Sequence, residues 1–262
     1  MNDLPLSCYI RTLNEEARIE RAVRDAFKVA AEVVIVDCGS TDRTKEMAEA
    51  AGARVVHQDW LGNGGQKRAG EALCSHDWLL DLDADEYITD ELAANIRAVF
   101  ADGEPALSVY QLKLVTVPPY GKTWYGFSTA WRSKLYDRRV HRMPDHGIWD
   151  QLELSKSVKP GRIEGPLLHE SFSGIAQQAH KLNRGSSVRA REAKLKSKWS
   201  LTLRVIGAMP VYFARHYFIK GLWRAGVYGY AIAWLAAYGR WLRDVKMLET
   251  HYAREQGREP EL

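Results

Sequence analysis

Four carboxylates crowd into six consecutive residues of this 262-residue chain: Asp81, Asp83, Asp85 and Glu86. They follow Trp78-Leu79-Leu80, an apolar run that reads as a buried strand. Side chains two apart on a strand share a face, so Asp83 and Asp85 can converge if the strand continues; a tight turn would serve as well. Carboxylates this close repel one another unless a cation lies among them. An oxygen-rich cluster suits Mg²⁺ or Mn²⁺, and Mg²⁺ typically takes one or two protein carboxylates plus substrate phosphates. The alternative is an acidic turn in solvent, ahead of a helix that starts at Thr89-Asp-Glu-Leu.

Two other places carry polar groups in positions suited to a ligand. Asp37 ends the run Val33-Val-Ile-Val36 and is followed by Gly39-Ser40. A carboxylate there can accept hydrogen bonds from a base or ribose while a Gly-Ser turn lets the ligand approach the backbone; it can equally form an Asx-turn or helix cap. Gln66, Lys67 and Arg68 follow the glycine-rich Leu61-Gly-Asn-Gly-Gly65. Cations at such a helix start can face phosphate, or stand in a solvated first turn. The chain has neither the Gly-x-x-x-x-Gly-Lys-Ser/Thr nor the Gly-x-Gly-x-x-Gly pattern, which argues against P-loop enzymes and dinucleotide dehydrogenases.

The elements that must position these groups follow from periodicity. Apolar runs at 6–10, 33–36, 53–56 and from Trp78 onward read as strands. Helical spacing occupies 19–27, 45–51, 66–73 and a stretch ending near 100, with Ser40, Thr41 and Asp42 as N-cap candidates and Gly52 closing the second helix. Alternation of this kind predicts an α/β fold with parallel strands covered by helices. Further strands are expected at 107–117, 130–137 and 166–168, with a break at 118–121 and a polar, aromatic loop at 141–150. The length suits one large domain, or one with an appendage. Asp3 and Pro5 precede only a short apolar strand, so no signal peptide is expected. Cys8, Cys38 and Cys74 lie in or beside apolar segments without zinc spacing, and are expected to be small buried hydrophobes in a reducing compartment.

From Ser171 to Arg243 the only carboxylate is Glu192, among many Lys, Arg and aromatic residues. Its uncharged runs fall short of the ~20 residues that a spanning helix needs. Aromatics interleaved with cations fit helices lying in a membrane interface, against the alternatives of a buried helical cap or a nucleic-acid surface. The first half is acidic and lacks a recognition motif, so no nucleic-acid partner is expected. Residues 251–262 read as a frayed polar end.

Thr12-Leu-Asn-Glu-Glu16, Val34-Ile-Val-Asp-Cys-Gly-Ser-Thr-Asp-Arg-Thr44, Gly65-Gln-Lys-Arg68 and Leu82-Asp-Ala-Asp-Glu86 occur in this order. Together they resemble glycosyltransferase family 2, with its GT-A fold, and within it the bacterial lipopolysaccharide-core β-1,4-glucosyltransferases. The match is tight over 5–100 and looser beyond. The resemblance implies a Rossmann-like mixed sheet flanked by helices, followed by a C-terminal helical membrane-associating extension. It implies a catalytic domain over 1–175, divided into a nucleotide-sugar half (1–100) and an acceptor side (101–175), with the basic, aromatic extension over 176–262. It gives nucleotide-sugar roles to Thr12, Asn14, Glu15, Asp37, Gly39, Ser40, Gln66, Lys67, Asp83 and Ala84, and a divalent metal to Asp83, Asp85 and His169. Relatives carry a segment like Val-His-Glu where this chain has Ile148-Trp-Asp150, so Asp150 stands in for the usual basic Glu and Trp149 for the His; Asp145 and Glu153 are the reserves.

The expected activity is an inverting, metal-dependent transfer of a hexose from a nucleotide sugar, a UDP-sugar, to a lipopolysaccharide-core or other lipid-linked acceptor. Its expected place is the inner face of the cytoplasmic membrane, held there by an anionic surface. Two alternatives stand beside it. One is a haloacid-dehalogenase-like phosphatase, because Leu79-Leu-Asp-Leu-Asp83 copies a strand-ending Asp-x-Asp. The other is a non-catalytic membrane-binding module with a degenerate nucleotide fold.

Overall fold

The computed structural model describes residues 4–120 and 129–260; Gly121 of the expected break and the last two residues of the tail lie outside them. The chain divides into two compact units, one of residues 4–115 with 129–169, the other of 116–120 with 170–260.

The first unit is built on β1 (Leu6–Thr12), β2 (Glu32–Asp37), β3 (Arg54–His57) and β4 (Trp78–Asp83), alternating with α1 (Ile19–Ala26), α2 (Thr44–Ala50) and α3 (Asn63–Leu73). β1 pairs in parallel with β2 and β4, and β2 with β3. A strand covered on both faces carries a continuous apolar run rather than alternation, and Val33 to Val36 are all buried. On α1 the residues turned inward are Ile19, Ala22, Val23 and Ala26, the stripe expected of a helix lying on a sheet.

Four more strands complete the sheet: β5 (Glu86–Ile88), β6 (Val109–Thr116), β7 (Thr129–Asp137) and β8 (Gly161–His169), with α4 (Asp90–Val99) between β5 and β6. The strand order is β3-β2-β1-β4-β7-β6-β8-β5, with antiparallel pairing from β4 to β7, β6 to β7 and β5 to β8. β5 ends that order although only Ala84 and Asp85 separate it from β4. Four strand spacings of ~4.8 Å exceed what so short a link can span, so the sheet must curl.

Several elements differ from the expectation, each for a local reason. Of the two routes left open at the acidic run, the chain takes the tight turn: β4 stops at Asp83, where the Glu86 carboxylate accepts the Asp83 backbone N–H at 3.0 Å. α3 starts at Asn63, three residues before the expected Gln66, because its first N–H groups find carbonyl partners in a distant loop. The last strand is longer than 166–168. Thr89 caps α4 as expected, accepting from the Leu92 N–H.

The second unit is helical: α5 (Ile175–Glu192), α6 (Lys198–Ala214), a π-helical turn (Arg215–Ile219), a 3-10 turn (Leu222–Ala225) and α7 (Gly226–Glu255). α7 extends through residues expected to fray, because Lys198 holds Glu255 at 2.7 Å and the His251 ring meets the Lys196 carbonyl. Buried Asp244 is met by Arg204 at 2.9 Å, by Arg243 at 2.9 Å and by the Tyr212 hydroxyl at 2.7 Å. Among the described residues no helix is long and apolar enough to cross a membrane.

Candidate active site

The parallel register sets the site. Arg11 lies opposite Asp83 between β1 and β4, and Thr12 lies opposite Asp37 between β1 and β2. These are the carboxyl ends of the strands, where open α/β sheets take their ligands. A cavity of about 440 Å³ opens there, and Thr12, Glu15, Asp83, Ala84, Asp85 and His169 are among its walls. Arg11 lines it too, with Trp60 at its side.

Charge fixes the floor of the cavity. Lys67 is buried, its Nζ 2.7 Å from Asp81 Oδ2, 3.7 Å from Asp83 and 4.0 Å from Asp150. Lys134, also buried, stands 2.7 Å from Glu86 and 3.6 Å from both Asp81 and Asp83. Arg11 Nε meets Asp83 at 3.0 Å while its Nη2 meets Asp150 at 2.8 Å. Enclosure opposes the charge on Asp83, yet Lys67, Lys134 and Arg11 hold its carboxyl well below the usual carboxylate range. Burial pushes the Glu86 carboxyl up to about 7 even with Lys134 against it. Burial works against the charged form of His169, and Asp85 at 3.3 Å outweighs it, raising the imidazole above its ordinary value.

The glycine-rich segment serves packing. Asn63 and Gly64 donate their N–H groups to Gly147 and His146 carbonyls at 2.9 Å. A Cβ on Gly64 would lie 2.4 Å from the Pro144 and Trp149 carbonyl oxygens, and one on Gly62 2.4 Å from Gly147 Cα. The glycines therefore let the 144–149 loop close onto α3, and that closure delivers Asp150 to Arg11. Buried Glu71 anchors the same loop, accepting the Met143 N–H at 2.7 Å and the Arg142 guanidinium at 2.8 Å. Gln66, expected to face the donor, is buried and ties Gln58 and Leu61 together. Lys67, for which a solvated first turn was the alternative, is in the buried charge cluster.

At the β2 end Asp37 Oδ2 accepts the N–H groups of Gly39 and Ser40 at 2.8 and 2.9 Å, an Asx-turn that Gly39 permits at φ +101°. Its Oδ1 and the neighbouring Thr12 Oγ1 are buried with no hydrogen-bonding partner among the described residues. Asn14, itself at φ 55°, accepts from the Thr41 N–H, and Ser40 accepts from the Asn14 N–H, so the two signature loops hold each other. Glu15 pairs with Arg18. Cys38 departs from the expected buried cysteine: it is half-buried and borders the cavity.

Asp83, Asp85 and His169 all border the cavity, but among the described residues no three His, Cys, Asp or Glu converge as a ready-made metal cage. Asp83 faces Arg11 while Asp85 faces His169. The donor set nevertheless suits a hard cation that completes its shell with phosphate oxygens, since two carboxylates and an imidazole open onto one space. Asp145 and Glu153 are exposed. Arg11 and Lys134 were not foreseen as site residues, and Asp81 and Glu86 were read as part of the carboxylate cluster without a role of their own. Their signal was present: a charge inside an apolar strand, such as Arg11 in β1 or Lys134 in β7, must find a buried partner.

A sequence model of glycosyl transferase family 2 matches residues 7–153. The chain belongs to that family. As a glycosyltransferase it is an enzyme, and its curled mixed sheet with flanking helices is the architecture the family motifs implied. The phosphatase and the non-catalytic module are thereby set aside. An uncharacterized glycosyltransferase of Rickettsia bellii is 30% identical over 93% of this chain and 86% of its own length. The lipopolysaccharide core biosynthesis glycosyltransferase LpsC of Rhizobium meliloti is 29% identical over 95% of this chain and 93% of its own length. Glucosyl-3-phosphoglycerate synthase of Mycobacterium tuberculosis, solved with Mn²⁺, UDP and glucosyl-3-phosphoglycerate, is 26% identical over 43% of each chain, with a TM-score of 0.34. This glycosyltransferase spans less than half of that solved chain, and so low a TM-score carries no argument about it.

Proposed function

We propose that this glycosyltransferase moves a hexose, with inversion, from a UDP-sugar to a lipopolysaccharide-core or other lipid-linked acceptor at the inner face of the cytoplasmic membrane. The first unit is the catalytic domain and the second its membrane-facing extension. One observation carries the reading: Arg11 lines the cavity at the ends of β1, β2 and β4 and holds both Asp83 and Asp150. The likeness to LpsC over nearly the whole of both chains supports the acceptor class. The family motifs support the uridine nucleotide, for which the unpartnered Asp37 Oδ1 and Thr12 Oγ1 are free hydrogen-bonding atoms among the described residues.

The roles follow from chemistry. Asn14 and Glu15 border the nucleotide, and the turn at Gly39-Ser40 lets it approach the backbone. Exposed Trp60 offers an aromatic face beside the cavity. Asp150 takes the proton of the acceptor hydroxyl as the new glycosidic bond forms. Arg11 orients Asp150 by holding one of its oxygens, leaving the other toward Gln151. Positive charge develops on the sugar ring as the bond to the diphosphate breaks. A divalent ion held by Asp83, Asp85 and His169 together with the diphosphate would supply positive charge for the leaving group.

The test is thermal stabilisation by a nucleotide panel, with and without Mn²⁺, on wild type and Asp85→Ala. Ligands that bind the native state raise its apparent stability by mass action. Stabilisation by UDP that needs the metal and is lost in the variant supports the reading. No response to any nucleotide from the folded protein overturns the donor assignment.

A further inference from the structure

We propose that the outward apolar face of α6 and of the two turns that follow it is the surface by which this protein lies in the headgroup layer of an anionic phospholipid bilayer. The proposal deepens the membrane setting of the proposed function and rests on it.

α6 is apolar on its outward side as well. Trp199, Leu203 and Ile206 fall on one stripe at helical spacing, and that stripe faces out, with Trp199 72% and Ile206 79% exposed. The inward side of the same helix carries its own apolar contacts, Leu201 buried with Val205 beside it, and Arg204 reaches buried Asp244. On a surface helix of a water-soluble domain the side opposite the core is polar instead. The turns and the first residues of α7 add further exposed apolar groups: Phe218 is 63%, Ile219 82% and Val227 87% exposed. Exposed apolar area on this scale marks a binding surface.

Charge selects the occupant. Residues 171–243 hold thirteen Lys and Arg against one carboxylate, Glu192. Arg215, Lys220 and Arg224 interleave with the apolar residues of the turns, and the Arg224 guanidinium stands 4.7 Å from the centre of the Trp223 ring. Apolar groups flanked by long cationic side chains and tryptophan suit the boundary between acyl chains and anionic headgroups. A second copy of the chain would set one cation-rich face against another, which repels. No described helix is long and apolar enough to cross a bilayer, so the face rests on it.

The full-length protein is sedimented with vesicles of phosphatidylglycerol and phosphatidylcholine, and with phosphatidylcholine alone. Wild type is compared with Ile206→Asp/Ile219→Asp, at two positions whose side chains are largely exposed. The expected result is binding to the anionic vesicles about tenfold or more tighter than to the neutral ones, and reduced about tenfold or more in the double variant. Circular dichroism and the nucleotide-induced rise in Tm stay unchanged. Equal binding by variant and wild type overturns the proposal. So does indifference to lipid charge, or a wild-type dimer that the variant dissociates without any vesicle binding. A protein that binds vesicles through this face yet ignores every nucleotide upholds the surface and fails the donor assignment.

Discussion

Arg11 and Asp150 lie 139 positions apart in the chain and 2.8 Å apart in space. The same guanidinium holds Asp83 through Nε, so one side chain ties the carboxylate of the family motif to the proposed base. A planar fork with fixed donors can serve both carboxylates at once, which an ammonium cannot do with the same geometry.

Asp150→Asn should lower kcat by about 10²–10⁴-fold, the range for loss of a general base. Nucleotide-induced stabilisation should be retained, because the proposed donor contacts lie at the ends of β1, β2 and β4 and Asp150 lies in the loop between β7 and β8. Steady-state kinetics alongside thermal shifts check this; an active Asn variant would move the base to Asp145 or Glu153.

Arg11→Lys should keep the charge but lose the second arm. We expect kcat to fall about tenfold or more from misplacement of Asp150, with the donor KM changed much less. Arg11→Met should lower kcat further. Equal losses in KM and kcat for both variants would assign Arg11 to donor binding instead.

Lys67→Met should be costly to the fold itself, since it leaves Asp81 buried against one remaining cation, Lys134 at 3.6 Å. Removing one partner of a buried pair costs about 3–5 kcal/mol. Lys67→Met/Asp81→Asn should recover much of it. Urea midpoints of the two variants make the comparison, and a single variant as stable as wild type would contradict the pairing.

Gly64→Ala should act at a distance from its own helix. The added methyl has no room against the Pro144 and Trp149 carbonyls, and overpacking of this kind costs about 1–3 kcal/mol. Faster amide exchange at 141–150, with a fall in kcat, is the expected signature; Gly103→Ala, whose Cβ meets nothing within 4 Å, controls for crowding, though not for its own φ of +107°.

The parallel half was legible because both-face burial writes itself as apolar runs and because Thr12–Glu16, Asp37–Thr44 and Asp83–Asp85 sit where those runs end. The rest depended on contacts between distant segments. Nothing local tells that Gly62 and Gly64 make room for a loop some eighty residues on, as the Asn63 side chain's bond to the Ile148 carbonyl, 85 positions away, shows. Gln66 was read by its neighbours in sequence, whereas its position on the inner face of α3 commits it to Gln58 and Leu61. Lys134 was passed over inside a strand because strand patterning counts hydrophobicity and ignores the counterions that a buried cation requires.

His216 gives a pH dependence unrelated to the cavity. Burial, then Lys220, Arg240 and Arg215, depress its imidazole from 6.5 to about 4. Between those values the unfolded chain binds the proton and the folded one does not, so stability is present above pH 6.5 and is lost as pH falls toward 4. His216→Gln should flatten that slope in Tm measured from pH 7 to pH 4; an unchanged slope would put the acid sensitivity elsewhere.

The buried Lys134 also sets an order of events during synthesis. It arrives from the ribosome 48 residues after Glu86, the carboxylate it contacts at 2.7 Å. Until then the β4–β5 turn holds its carboxylates with only Lys67 and Arg11 to offset them, so the nascent N-terminal half carries an incompletely neutralised acidic knot. Domains are made from the N-terminus onward, but this one can settle its charge only when β7 inserts beside β4. The same ammonium that shapes the resting site thus makes completion of the sheet a condition for having a site at all.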